Sequence, residues 1–251
     1  MSRHVLRTLL LATAVALASM STWADEVRLV ASNAVKEIVQ ELAPEFEDKT
    51  GHRLIATWGG TPDVVRAAEE GQAFDLVIIS LAAVTDLERR GKLESGAHRE
   101  FVASAIGAAV TPSGPRFDVS TSAGLKQALL TAKSVVLSSG PSSIHLLSLV
   151  ESLGVRDVLA PKLLRLAPGQ SVGEALAQGR GELGFTQVSE LLSVRGIHYL
   201  GPLGAEVQRV TVFTFGMRPG GTSTLASKAL VEFLTSPEVA ARVRHAGLEP
   251  R

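Results

Sequence analysis

The chain has 251 residues, with 25 Lys+Arg balanced by 25 Asp+Glu, and no cysteine. Such a length can bury a large core and suits one large domain or two lobes. Balanced charge gives no electrostatic case for nucleic acid or an anionic membrane, and the lack of cysteine excludes disulfides, thiol nucleophiles and thiolate metal sites. Residues 1–24 open with Arg3, His4 and Arg7. An apolar run from Leu9 to Ala18 follows, then Thr22-Trp23-Ala24 ahead of Asp25-Glu26. That layout predicts a secretory signal, with an apolar run too short to span a bilayer. Its removal takes Arg3 and Arg7 and leaves 23 Lys+Arg against 25 Asp+Glu, a net charge of −2.

From Asp25 onward, short β-branched runs alternate with helical periodicity. Residues 27–31 read as a strand. Residues 34–50 read as a helix with Val35, Ile38, Val39, Leu42 and Phe46 on one stripe and Pro44 as a point of bending. A strand at 53–58, a helix at 62–70 closed by Gly71, a strand at 76–80 and a helix at 84–90 stopped by Gly91 follow. Next come a small-residue strand at 103–111, a helix at 123–132, a strand at 135–137 and a helix at 144–153. Residues 163–166, 172–178 and 183–186 give strand, helix, strand. A long strand pattern covers 207–217, and helices at 223–234 and 238–246 close the chain. The alternation predicts parallel sheets with helices on both faces. No Pro/Gly/Ser-rich linker divides the chain, so two lobes require it to cross between them more than once. The strands near 103–111 and 207–217 are the expected crossings.

Four helices are expected to start alike, with a strand, a short turn and a hydroxyl residue. They open at Ser32-Asn33, at Gly59-Gly60-Thr61-Pro62, at Pro141-Ser142-Ser143 and at Ser171-Val172-Gly173-Glu174. Thr61 fits the cap with Pro62 at the first helical position, and Ser171 with Glu174 fits a capping box. A helix start offers unpaired N–H groups and a positive dipole end, which bind anions without Lys or Arg. In parallel α/β sheets these turns share the crevice beyond the carboxyl ends of the strands. Four such starts can surround one small anion, although each hydroxyl also serves as an ordinary cap for its own helix.

VRLVASNAVKEIVQELAPEFEDKTGHRL and WGGTPDVVRAAEEGQAFDLVIIS resemble the opening of molybdate-binding proteins of ABC transporters, in the type II periplasmic-binding-protein superfamily. SSGPSSIHLLSLVESLG and APGQSVGEALAQGRGELGFTQVSEL resemble that family's third and fourth motifs. The resemblance implies an α/β fold of two lobes, each a mainly parallel sheet flanked by helices. Lobe 1 is expected at 25–104 and 213–251, and lobe 2 at 105–212. It implies a periplasmic monomer that holds a small oxyanion in the cleft for an ABC permease, with no cofactor or metal. By motif, Ser32 and Thr61 match hydroxyl ligands. Ser142 or Ser143 matches a backbone donor, and so does Val172. Gln187 stands where the family places a Tyr. Gln can bond a carboxylate, so a small organic acid is an alternative ligand.

Catalytic signatures are sparse. There is no G-x-S-x-G elbow and no H-E-x-x-H, and the six histidines show no metal spacing. Asp75, at the start of an apolar strand, reads as structural. His145 falls beside the expected anion site. Aconitate isomerases, periplasmic enzymes that move a proton between carbons of a bound acid without a metal, resemble the same binding-protein family. Under that alternative Ser32, Thr61, Ser143 and Gln187 hold carboxylates and His145 is the general base. An orphan sensor of the same ligand is a third reading.

Overall fold

The computed structural model describes residues 25–220 and 224–251, so the expected signal segment lies outside the described residues. Two sheets form. In the first, β1 (Glu26–Ser32) lies between β2 (Arg53–Gly59) and β3 (Leu76–Ser80), parallel to both. Then β10 (Thr211–Met217), β4 (Arg99–Ser104) and β11 (Glu249–Pro250) add on antiparallel, giving the order β11-β4-β10-β3-β1-β2. The second sheet has the order β7-β6-β8-β5-β9, built from β5 (Ile106–Val110), β6 (Val135–Leu137), β7 (Leu163–Arg165), β8 (Leu183–Gln187) and β9 (His198–Pro202). There β6 pairs parallel with β7 and β8, while β5 pairs antiparallel with β8 and β9.

Each sheet is therefore parallel on one side and antiparallel on the other. The antiparallel strands include the ones on which the chain passes between sheets. A strand that arrives directly from the other sheet has no crossover helix to bring it round, so it can run against its neighbour. The run expected as one strand at 103–111 is β4 and β5, separated by Ala105. The return passage is 203–210, and β10 joins the first sheet from Thr211 rather than from 213. Strand β9 was not visible in the sequence, because HYLGP lacks both alternation and a β-branched run.

Helices cover both faces of both sheets. In β3, Leu76 and Ile78 point to one face and Val77 and Ile79 to the other, and all four are fully buried. The first face packs on α1 (Lys36–Thr50) through Ile38, Val39, Leu42 and Phe46, and on α9 (Thr224–Leu234) and α10 (Ala240–His245). The second face packs on α2 (Thr61–Glu69) and α3 (Leu81–Arg89). Pro44 does not divide α1, which runs unbroken to Gly51, whose φ of 72° suits only glycine without strain. In the second sheet, Ile106, Ala108 and Val110 face α4 (Ser122–Thr131) and α5 (Pro141–Ser152). Ala109 and Val136 face α7 (Val172–Ala177) and α8 (Val188–Leu192); the short α6 (Arg156–Leu159) lies beyond α5. Asp75 is structural, as expected. Its carboxylate accepts from Arg28 N–H at 2.8 Å and ties β1 to the start of β3.

Candidate functional site

Between the sheets lies a cavity of about 20 Å³. Its wall from the first sheet is Ser32, Asn33, Gly60, Thr61 and Phe213. The opposing wall is the turn 138–142, Gly169 and Gln170, Gln187 and Glu190. A larger polar compartment of about 310 Å³ adjoins it, sharing Asn33, Gly169 and Glu190. The two halves meet around this space. Ser189 Oγ donates to Ala34 O at 2.7 Å across the cleft, and a Cβ at Gly60 would lie 3.3 Å from Ser139 Oγ.

Each wall residue is placed by local chemistry. Ser32 ends β1 and caps the 3₁₀ turn that follows, its Oγ accepting from Ala34 N–H at 3.3 Å. Helix α2 starts one residue earlier than expected. Gly60 is its N-cap, and the Asp63 carboxylate closes the turn by accepting from Gly60 N–H at 2.9 Å. Gly60 thereby takes the N-cap position expected of Thr61, and Asp63 supplies the reciprocal contact of a capping box. The Thr61 hydroxyl is left at the first helical position, 8 % exposed, lining the cavity with no hydrogen-bond partner. A buried hydroxyl without a partner among the described residues is uncommon and destabilising; of the buried atoms in that condition, Thr61 Oγ1 is the one on the cavity wall.

The third expected start also begins earlier, with Gly140 as N-cap and Pro141 at the first position. Ser142 is buried against the cavity. Ser143 is buried too but lies outside the lining, its Oγ 3.2 Å from Ser138 Oγ. Ser138 and Ser139, from the same serine-rich run, face the cavity instead. The shift moves His145 as well. It is the fifth residue of α5, past the first turn, and does not line the cavity. Its Nε2 lies 2.8 Å from Val207 O, so the ring contacts the return passage. His145, expected beside the anion site as the general base of the isomerase alternative, is thus off the wall of this cavity.

Val172 is fully buried against Gly184 and does not line the cavity; Gly169 and Gln170, ahead of it, do. Ser171 caps α7 by accepting from Glu174 N–H at 3.2 Å. Gln187 lines the cavity at 2 % exposure, but its amide is engaged elsewhere. The carbonyl oxygens of Ser104 and Ala105 lie 3.2 Å from one end, which must be the nitrogen, and Thr211 Oγ1 lies 3.2 Å from the other. Gln187 thus bridges both passages of the chain between the sheets.

Glu190 was not anticipated. Among the described residues lining the inner cavity it is the one with an ionisable side chain. Thr186 Oγ1 donates to its Oε1 at 3.1 Å, and burial pushes its pKa up to about 7 against that bond. An acid in the first turn of a helix is an ordinary sight, so the sequence carried no signal for it.

Residues 27–249 match the family of bacterial extracellular solute-binding proteins. The chain belongs to that family. One relative in it is an aconitate isomerase from Pseudomonas sp., 29 % identical over 228 residues, 88 % of this chain and 87 % of that protein. Another is the molybdate-binding protein ModA of Azotobacter vinelandii, 23 % identical over 242 residues, 93 % of each. The fold matches the Azotobacter vinelandii periplasmic molybdate-binding protein with a TM-score of 0.75 at 16 % identity, covering 88 % of this chain and 98 % of that one. This solute-binding protein shares their two-sheet architecture. No helix among its described residues is long and apolar enough to cross a membrane.

Proposed function

We propose that this solute-binding protein captures a small anion, in first place a compact oxyanion such as molybdate, and hands it to an ABC permease. It works in the periplasm as a monomer without a cofactor. The two lobes, 25–104 with 211–251 and 105–210, close over the anion. The supporting observation is the Thr61 hydroxyl, buried at the start of α2 with no partner of its own. Around it stand Ser32, Ser142, Ser138 and Ser139, and among the described residues the cavity lining holds no Lys or Arg. Hydroxyls and helix-start N–H groups bind a dianion by directed hydrogen bonds without a countercharge. Titration calorimetry with molybdate, tungstate, sulfate and a panel of di- and tricarboxylates tests this. Micromolar or tighter binding of one compact oxyanion is expected; binding of none overturns it.

A second reading is isomerisation of a small carboxylate, favoured by Glu190 on the cavity wall and by the aconitate isomerase relative. A six-carbon tricarboxylate is longer than a tetrahedral oxyanion and would reach past Glu190 into the adjoining compartment. A carboxyl at that boundary can take a proton from one carbon and return it to another as the double bond shifts. Ultraviolet assay of trans-aconitate decides this reading, and the absence of turnover excludes it.

A further inference from the structure

We propose that Glu190 carries a proton when an anion occupies the inner cavity and donates it toward that anion, so that capture takes up one proton from solution. The proposal rests on the reading of the cavity as an anion site.

The geometry supplies the argument. Glu190 stands on the wall shared by the inner cavity and the outer compartment. One carboxyl oxygen accepts from Thr186, and among the described residues Glu190 makes no ion pair. Among the described residues, the cavity lining contains no cation to offset an ionised carboxylate beside a bound anion. Two like charges a few ångströms apart in a partly dehydrated site repel by several kT, and moving a proton onto one of them removes the conflict. Glu190 then becomes one more donor among neutral donors, alongside Thr61 and the serines.

The other charged groups near it do not change this balance. Lys36 and Glu37 from α1, Glu174 from α7 and Arg195 after α8 share the outer compartment with Glu190, two cations against two acids, and none lines the inner cavity. On α2, Asp63 is turned into Gly60 N–H and the Arg66 guanidinium. Burial of Glu190 acts in the same direction as the repulsion, since it already favours the neutral form near pH 7.

The test is calorimetry of the full chain with molybdate, sulfate and trans-aconitate, in paired buffers of different ionisation enthalpy, from pH 6 to 8.5. Molybdate and sulfate carry no exchangeable proton there, so any proton taken up goes to the protein. Uptake is expected to be small at pH 6 and to approach one proton per anion at pH 8. Affinity should fall about tenfold per pH unit above pH 7.5. Glu190→Gln, whose amide imitates the protonated carboxyl, should show no uptake and a flat affinity profile. At pH 8.5 it should bind tenfold or more tighter than the wild type. Binding without proton uptake, or affinity that rises with pH, overturns the role given to Glu190 and leaves the cavity reading standing. The wild-type proton count decides even where the variant does not fold. Failure of the wild type to bind any of the three probes overturns the cavity reading, and this proposal with it.

Discussion

Thr61→Val separates a ligand-binding hydroxyl from a structural one, because it should move stability and affinity in opposite directions. Valine has nearly the volume of threonine and the same branching at Cβ, so the rotamer and the packing survive the exchange. What changes is Oγ1, which is buried and has no partner. An unsatisfied buried hydroxyl costs about 1–3 kcal/mol in proteins, and replacing it with a methyl recovers part of that. Thr61 is 8 % exposed, so the low end applies. The anion-free variant should gain about 1 kcal/mol, seen as a rise of about 2–4 °C in Tm for a chain of this size. The same change removes one donor from the captured anion and should weaken binding by about 1–3 kcal/mol, or about 5- to 150-fold. Melting curves with and without saturating ligand, joined to calorimetry, read both quantities. Affinity within twofold of wild type refutes the reasoning, and so does a variant in which both quantities fall together.

Two further outcomes follow from other residues. The pKa of Glu190 in the fold is about 7, against 4.5 for a free glutamate. Its contribution to stability is therefore whole below about pH 4.5 and is lost as pH rises towards 7 and beyond. The stability of Glu190→Gln relative to wild type should grow by about 1–3 kcal/mol between pH 5 and 7.5, with parallel urea profiles counting against it. Gln187→Leu should destabilise by about 1–3 kcal/mol, since it strands the Ser104 and Ala105 carbonyls and Thr211 Oγ1. Denaturation without ligand measures that loss, and a neutral result would remove Gln187 from its bridging role.

Much of the scaffold was legible because its signals are local. Of the stripe, Ile38, Val39, Leu42 and Phe46 form the buried face of α1 and Val35 is its N-cap, and all five residues are in the core. Gly71 and Gly91, expected to stop two helices, both have positive φ. The helix starts were legible to within a turn, but the site depends on finer detail. With α5 beginning at Pro141 instead of at 144, His145 falls in its second turn and does not line the inner cavity. Gly60 rather than Thr61 is the N-cap of α2, its N–H held by Asp63, an exchange that only the fold reveals. Glu190 and Gln170 reach the cavity through tertiary packing, and nothing in their neighbours along the chain announces it. Ala105, where one apolar run changes sheets, has no breaker residue beside it.

The two passages between the halves are riveted to each other. Gln208 holds Ile106 by both its N–H and its carbonyl, at 2.8 and 2.9 Å, while Gln187 grips Ser104, Ala105 and Thr211. Two independently pliable ribbons would permit shear and swivel as well as bending. Fastened together, they would bend as one, about a single soft axis. If the proposed capture holds, closure over a guest would follow one fixed arc, which would favour a single compact shape over a range of them.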